Sequence, residues 1–188
     1  MQLYEVFLGL GQDSFAQLVR GISIGKLKTY QLYDRLKTRL HLPKLNSEGL
    51  RKGAPRFWER LVEQDETFAT ELAQGILVSH MDMITAALDV LGIPNEDGFF
   101  AKDLDATKYL TEGWQQRALD ALKDRFPEPL VVFYVNHLGW ELLKSGDLFR
   151  PAPAPPASAT PASASPASAS PVPATPAPAS PPPPNMAP

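Results

Sequence analysis

The sequence has 188 residues, no cysteine and a formal net charge of −3 at pH 7. Without cysteine the chain can form no disulfide framework, no zinc–thiolate site and no thiol nucleophile, and this composition fits a cytoplasmic location. The most apolar run, residues 76–93, contains a histidine and two aspartates. Charges inside so short a run predict a buried helix and no membrane span.

The charge is distributed unevenly along the chain. Residues 20–60 carry eleven Lys and Arg against three acids, a net charge of +8, whereas residues 61–150 carry seven bases against sixteen acids, a net charge of −9. A basic stretch of this kind attracts acidic ligands through its electrostatic field. It predicts an acidic protein partner or a nucleic acid as ligand, unless it docks on the acidic part of its own chain.

The first predicted helices are short. Residues 3–10 are expected to form one or two helical turns. Asp13 or Ser14 can cap a second helix, because each offers a side-chain oxygen to a free backbone N–H. That helix is expected to run to about Arg20 and to end at Gly21.

A longer amphipathic helix is predicted over residues 23–40. Its apolar side chains recur every three or four residues, at Leu27, Tyr30, Tyr33, Leu36 and Leu40. The two tyrosines in this stripe are therefore expected to pack in the core. Lys28, Arg35 and Arg39 share another face of the helix, and Pro43 lies just past its predicted end.

Two helices are predicted in the second half of the basic stretch. Asn46 or Ser47 can cap a short helix through Lys52. Pro55 suits the first turn of a separate helix, where its missing N–H costs nothing.

The strongest apolar pattern covers residues 67–91, where two adjacent stripes leave little polar surface. This pattern predicts one long, mostly buried central helix. Gly92 and Pro94 are expected to end it, since glycine adopts the left-handed conformation at helix ends and proline cannot continue a helix.

The region after the central helix is expected to contain a turn at residues 95–98, a loop at 99–105 and a helix at about 111–126. Residues 130–135 would form a buried strand if taken alone. A helix is preferred because Pro129 suits a first helical turn and no partner strand for the segment is visible elsewhere.

A compositional boundary occurs at residue 151. The last 38 residues contain 15 Pro, 12 Ala and six Ser, with no charged or aromatic side chain. Such a segment cannot bury enough apolar surface to offset its ordering entropy, so a disordered tail is predicted for residues 151–188. Residues 1–150 are predicted to form one all-α bundle of about six helices around the central helix.

A helix-turn-helix-like segment is possible at about residues 13–40. Gly21, Ile22 and Ser23 have the spacing of the turn, and Leu27 and Tyr30 that of the apolar anchors on the second helix. The match is imperfect, because Arg20 and Gln17 occupy positions that favour an apolar and a small residue. The candidate residues for binding nucleic acid or an acidic partner are Lys26, Lys28, Gln31, Arg35 and Arg39.

Other chemistry has little support in the sequence. His80 is expected to be a core histidine, and His137 with Glu141 would supply only half of a metal site. The sequence contains no phosphate-binding glycine loop, nucleophile elbow or His-Glu-x-x-His motif. We therefore expect no catalytic residue, no metal and no cofactor.

Two functional hypotheses remain. The first is a non-enzymatic intracellular interaction or regulatory module that docks its basic surface, residues 20–60, on an acidic partner with apolar anchoring beside it. The alternative is a DNA-binding transcriptional regulator. The first requires an exposed apolar patch next to the charge, whereas DNA binding requires the candidate cations on one convex surface.

Overall fold

The computed structural model describes residues 2–32, 46–144 and 147–151. Within these ranges there are eight α-helices, one 3₁₀ turn at Ala106–Tyr109 and no strand, which confirms the all-α class. The helices are α1 (Leu3–Leu10), α2 (Gln12–Gly21), α3 (Ile24–Thr29), α4 (Ser47–Val62), α5 (Glu66–Ser79), α6 (Met81–Leu91), α7 (Trp114–Leu122) and α8 (Glu128–Leu143). None of these helices is long and apolar enough to cross a membrane.

Helix α8 forms the centre of the core and packs against α1, α2 and α7. Every side chain from Leu130 to Val135 is buried, so the helix is apolar on all sides. The ring of Phe133 stacks on the ring of Phe7, with 4.8 Å between their centroids. The expected helix is confirmed here, and Pro129 lies in its first turn.

The prediction of one continuous helix over residues 67–91 is wrong at His80. This residue has φ −130° and ψ 40° and separates α5 from α6. The apolar pattern does not reveal the break, because the step of seven residues from Ile76 to Met83 is almost two helical turns. The two side chains therefore have the spacing of one continuous helix. Gly92, in the left-handed conformation, ends α6 as expected.

The break at His80 lies against the turn between α2 and α3. The backbone N–H of Ser23 donates to Ser79 Oγ at 2.9 Å, and that hydroxyl donates to the carbonyl of Gly75 at 2.7 Å. A Cβ at position 21 would lie 2.8 Å from His80 Nε2, so only glycine allows this approach. The ends of α5 and α2 are thus joined by contacts that local sequence does not reveal.

Helix α3 ends at Thr29, so the prediction of a helix through residue 40 is wrong at residues 30–32. Gln31 has φ +57°, and the N–H of Leu32 donates to the carbonyl of Leu27 at 2.8 Å. This is a Schellman motif, and both leucines that it brings together are buried. Their burial favours ending the helix. Residues 33–45, with Arg35 and Arg39, lie outside the described residues.

The two helices predicted between residues 46 and 62 are one helix, α4. Asn46 caps it, as expected, by accepting a hydrogen bond from the N–H of Gly49 at 2.7 Å. Pro55 lies inside the helix and is exposed, and so is Arg51 one turn earlier. Solvent can therefore hydrate the carbonyl of Arg51, which loses its helical donor.

The last described segment, residues 147–151, returns to the bundle. The buried side chain of Asn136 donates to the carbonyl of Phe149 at 3.0 Å and accepts from its N–H at 2.7 Å. Leu148 packs so closely on Gly9 that a Cβ there would lie 2.5 Å from Leu148 Cδ1. The tail predicted after residue 150 lies almost entirely outside the described residues, so that boundary stays a prediction.

Candidate functional site

The five predicted binding residues do not form one helical face in the described structure. Lys26 and Lys28 are exposed on α3, whereas Gln31 lies beyond the end of α3 and has a positive φ. Arg35 and Arg39 lie outside the described ranges. No continuous recognition helix therefore carries all five residues. Two other surfaces of the described residues bring functional side chains together.

The helices α2 and α3 reproduce part of a helix-turn-helix. Ile22 and Leu27 are buried between the helices and the core. Ser23 caps α3 by accepting from the N–H of Lys26 at 3.3 Å. Tyr30, the other expected anchor, is 40% exposed, so the prediction that it packs in the core is wrong. With six residues, α3 is also short for a recognition helix.

Two arginines meet between α2 and α4 in what we call the arginine groove. Gln12, Ala16 and Arg20 follow one another every four residues along α2, and Arg51, Ala54 and Pro55 face them from α4. The small alanine side chains leave a shallow cavity of about 160 Å³. Arg20 and Arg51 are both exposed, and neither forms an ion pair within the described part of the chain.

A larger concavity, which we call the aromatic groove, lies between α3 and the segment after α6. It has a volume of about 910 Å³ and is lined by Lys26, Tyr30, Met81 and residues 94–97 and 99–101. Phe99 is 59% exposed and Tyr30 40% exposed. Large apolar side chains exposed together mark an interaction surface more often than an inert one.

One wall of the aromatic groove is α3, which is held against α5. Lys26 on α3 and Tyr30, the residue directly after the helix, both line the groove, while Leu27 between them in sequence is fully buried. The hydrogen bond from Ser23 to Ser79 anchors the start of the helix. The C-terminal end of α5 thus determines the positions of Lys26 and Tyr30.

The opposite wall is a tight turn that confirms the one predicted at residues 95–98. Glu96 and Phe99 exchange two backbone hydrogen bonds of 2.7 and 3.0 Å. Asp97 and Gly98 between them have φ +50° and +87°, the conformation of a type I′ turn. Asn95 braces this turn by accepting from the N–H of Gly98 at 3.1 Å.

Gly98 allows the turn to pack closely on α6. A Cβ at this position would lie 2.9 Å from Met81 Cε and 3.2 Å from Thr85 Oγ1. Since any larger residue would also have to adopt a positive φ, glycine allows both the turn and its close approach to the helix. Phe99 is consequently held outward, over the groove.

The two grooves differ in charge. The ionisable groups that line the aromatic groove are Lys26, Glu96 and Asp97, which give a net charge of −1. The arginine groove is lined by two cations and no acid. One small bundle therefore presents a purely basic groove and a slightly acidic aromatic groove.

An ion pair joins the basic and acidic halves of the chain in the described residues. Arg60 pairs with Asp65, and its guanidinium lies 4.7 Å from the centre of the Phe68 ring. Lys52 pairs with Glu48 inside the basic stretch itself, at 2.7 Å. Residues 33–45 of the basic stretch lie outside the described residues, so docking of the whole stretch on the acidic half stays a prediction.

His80 and His137 line neither groove. Burial lowers the pKa of His80, against the opposing effect of Asp82, and its small cavity of about 90 Å³ has no carboxylate in its lining. Burial lowers the pKa of His137 to about 4, although Glu141 Oε2 lies 3.8 Å from its Nδ1. In the described ranges no group of His, Asp and Glu could hold a metal ion.

In comparisons with known proteins, no family model, no curated protein and no solved structure matches the chain. The function must therefore be argued from the two grooves. Sequence reasoning missed both, because neither is contiguous in the chain. The signals that could have suggested them were the Gln12–Ala16–Arg20 spacing and two adjacent phenylalanines, Phe99 and Phe100, after a polar turn.

Proposed function

We propose that this chain is a non-enzymatic interaction module that binds an acidic protein segment through the basic surface of its first half. The observation that carries the proposal is the presence of Arg20 and Arg51, from two different helices, in the lining of one groove, with neither in an ion pair among the described residues. Guanidinium groups bind carboxylates in a bidentate manner, which gives such a site geometric selectivity as well as charge.

An apolar surface beside the basic one supports the same proposal. Pro55 is exposed in the arginine groove itself, and Ala16 and Ala54 also line it. Apolar groups add affinity that is insensitive to salt, whereas charged groups mainly increase the association rate and select the partner. An acidic segment with an aromatic or aliphatic anchor is therefore the expected ligand.

The test is fluorescence anisotropy of a labelled glutamate-rich peptide that contains leucine, added to the full chain at low and moderate salt. The variant R20E/R51E should weaken binding at least about tenfold, because two attractive charges become repulsive. The matched control is R117E/R125E, which makes the same charge change at exposed positions in the acidic half. Equal loss in both variants, or no binding by the folded chain, would contradict the proposal.

DNA binding is the second candidate, favoured by the α2–turn–α3 arrangement with its buried Ile22 and Leu27 and its Ser23 cap. Lys26 and Lys28 would contact phosphates or base edges from α3. Random duplex DNA in the same titration decides between the two. Tight binding that falls steeply with salt and disappears in the variant K26E would favour DNA over the acidic segment.

A further inference from the structure

We propose that the aromatic groove binds a proline-rich polypeptide segment that carries a basic residue. This proposal concerns a different groove and the opposite ligand charge from the acidic partner of the arginine groove, so it does not depend on that assignment. It is carried by three features of the groove walls: the exposed rings of Tyr30 and Phe99, a turn whose end residues are already paired with each other, and two exposed carboxylates on the turn.

The aromatic faces of the groove are available to a ligand. Tyr30 and Phe99 are exposed and take part in none of the ring–ring or cation–π contacts among the described residues, whereas Phe100 is partly buried against the core. Pro94, also exposed, adds a flat apolar ring to the same lining. Apolar rings separated by a cavity of about 910 Å³ can receive the rings of a ligand between them.

At the two ends of the turn, the backbone groups that a ligand strand would need are already paired. The N–H and carbonyl groups of Glu96 and Phe99 bond to each other, and the N–H of Gly98 bonds to Asn95. Addition of an extended strand, which relies on free backbone groups, is therefore disfavoured. A polyproline II segment has no need of such pairing, and its preformed shape reduces the ordering entropy of binding.

The carboxylates define the charge of the segment. Glu96 and Asp97 are exposed side by side on the turn, next to Phe99, and they outnumber the single cation Lys26 in the lining. An arginine flanking the prolines would reach these carboxylates and could also lie on an aromatic face. An acidic segment would instead have to approach Lys26 against two like charges.

The first experiment is a titration of the full chain into a labelled proline-rich peptide with one flanking arginine. Phe99 is the residue to change, since its exposed side chain contributes little to the core. Phe99→Ala should weaken binding at least about tenfold, and Tyr30→Ala should also weaken it. Leu143→Ala removes a comparably exposed apolar side chain on α8 and should have no effect.

The second experiment tests the charge. The doubly neutralised variant E96Q/D97N should lose the preference for the arginine peptide over its alanine version, whereas E112Q, an exposed acid at another position, should keep it. The alanine version of the peptide is the reference because it lacks only the charged side chain. Proline-rich sequence without charge also occurs in this chain, in residues 151–188.

Several results would overturn the proposal. They are absence of peptide binding by the folded full chain, equal binding by Phe99→Ala and the parent, and preference for an acidic version of the peptide. Circular dichroism confirms folding of each variant. The variant R20E/R51E should retain proline-peptide binding, so failure of the acidic-partner assignment and failure of this one give different results.

Discussion

Helix α8 and the aromatic groove use similar side chains for opposite purposes. Around α8, Phe133 is fully buried and Asn136 satisfies both backbone groups of Phe149. At the groove, Phe99 is 59% exposed and Asn95 braces a turn that remains open to solvent. A phenylalanine and an asparagine thus stabilise the fold in one region and shape a free surface in the other. Stability and binding should therefore respond separately to mutation.

The largest expected effect distinguishes the two phenylalanines. Phe133→Ala should lower the free energy of unfolding by about 3–5 kcal/mol, because it creates a cavity beside Phe7 in a closely packed core. Phe99→Ala should change it by less than about 0.5 kcal/mol, since the side chain is mostly solvated. Urea denaturation of both variants measures the difference. Similar losses would show that Phe99 belongs to the core and would remove the contrast.

The same comparison can be made with the two asparagines. Asn136→Ala should cost about 1–3 kcal/mol, because the N–H and carbonyl of Phe149 lose their partner in a partly buried place. Asn95→Ala should cost less, about 1 kcal/mol, because only one backbone group, the N–H of Gly98, loses its partner. Hydrogen exchange gives an independent measure. The amide of Phe149 should exchange faster in Asn136→Ala and remain unchanged in Asn95→Ala.

The buried histidine of α8 predicts a pH dependence. Burial lowers the pKa of His137 to about 4 in the folded protein, below its ordinary value in the unfolded chain. Between these values the unfolded state binds more protons, so this contribution to stability is full above about pH 6.5 and is lost as the pH falls. The expected loss between pH 7.5 and pH 5 is about 2 kcal/mol.

Denaturation of His137→Gln at those two pH values tests this contribution. The variant should lose less stability on acidification than the parent, whatever its stability at pH 7.5. His80→Gln is the matched comparison: His80 is only half buried and Asp82 opposes the lowering of its pKa, so its effect should be smaller. An unchanged acid response in His137→Gln would show that the imidazole does not titrate in this range.

The smallest effect distinguishes two glycines near the groove. Gly98→Ala should destabilise the protein by about 1–2 kcal/mol, because φ is +87° and the new Cβ would contact Met81. It should also displace Phe99 and weaken binding at the groove. Gly25→Ala, within α3 and without a close neighbour, should instead stabilise by about 0.5–1 kcal/mol. Thermal unfolding of both variants should show shifts of opposite sign.

Local signals predicted the elements whose ends are formed by their own residues. Asn46 caps α4, Gly92 ends α6 and Pro129 opens α8, as expected from sequence. These signals are reliable because a cap or a left-handed glycine acts within one turn of the backbone. The helix predicted for residues 130–135 is also confirmed, since an isolated strand could not satisfy its backbone hydrogen bonds.

The errors occur where distant residues determine the backbone. The break at His80 depends on Gly21 and Ser23, far away in the chain, and the early end of α3 depends on the joint burial of Leu27 and Leu32. Neither grooves nor exposed aromatics can be assigned from periodicity, because Tyr30 has the spacing of a core residue. Of the five predicted site residues, Lys26 and Lys28 are the two that the described structure places as exposed side chains on a helix.

The sequence by itself determined the all-α class, the apolar segments that form the core, and the uneven charge of the two halves. These properties follow from composition and from periodicity within single helices. Tertiary structure alone decided which side chains share a groove: Arg20 with Arg51, and Tyr30 with Phe99. The physical reason is that a groove forms where helices fail to cover one another, which depends on their packing angles and breaks rather than on any one segment.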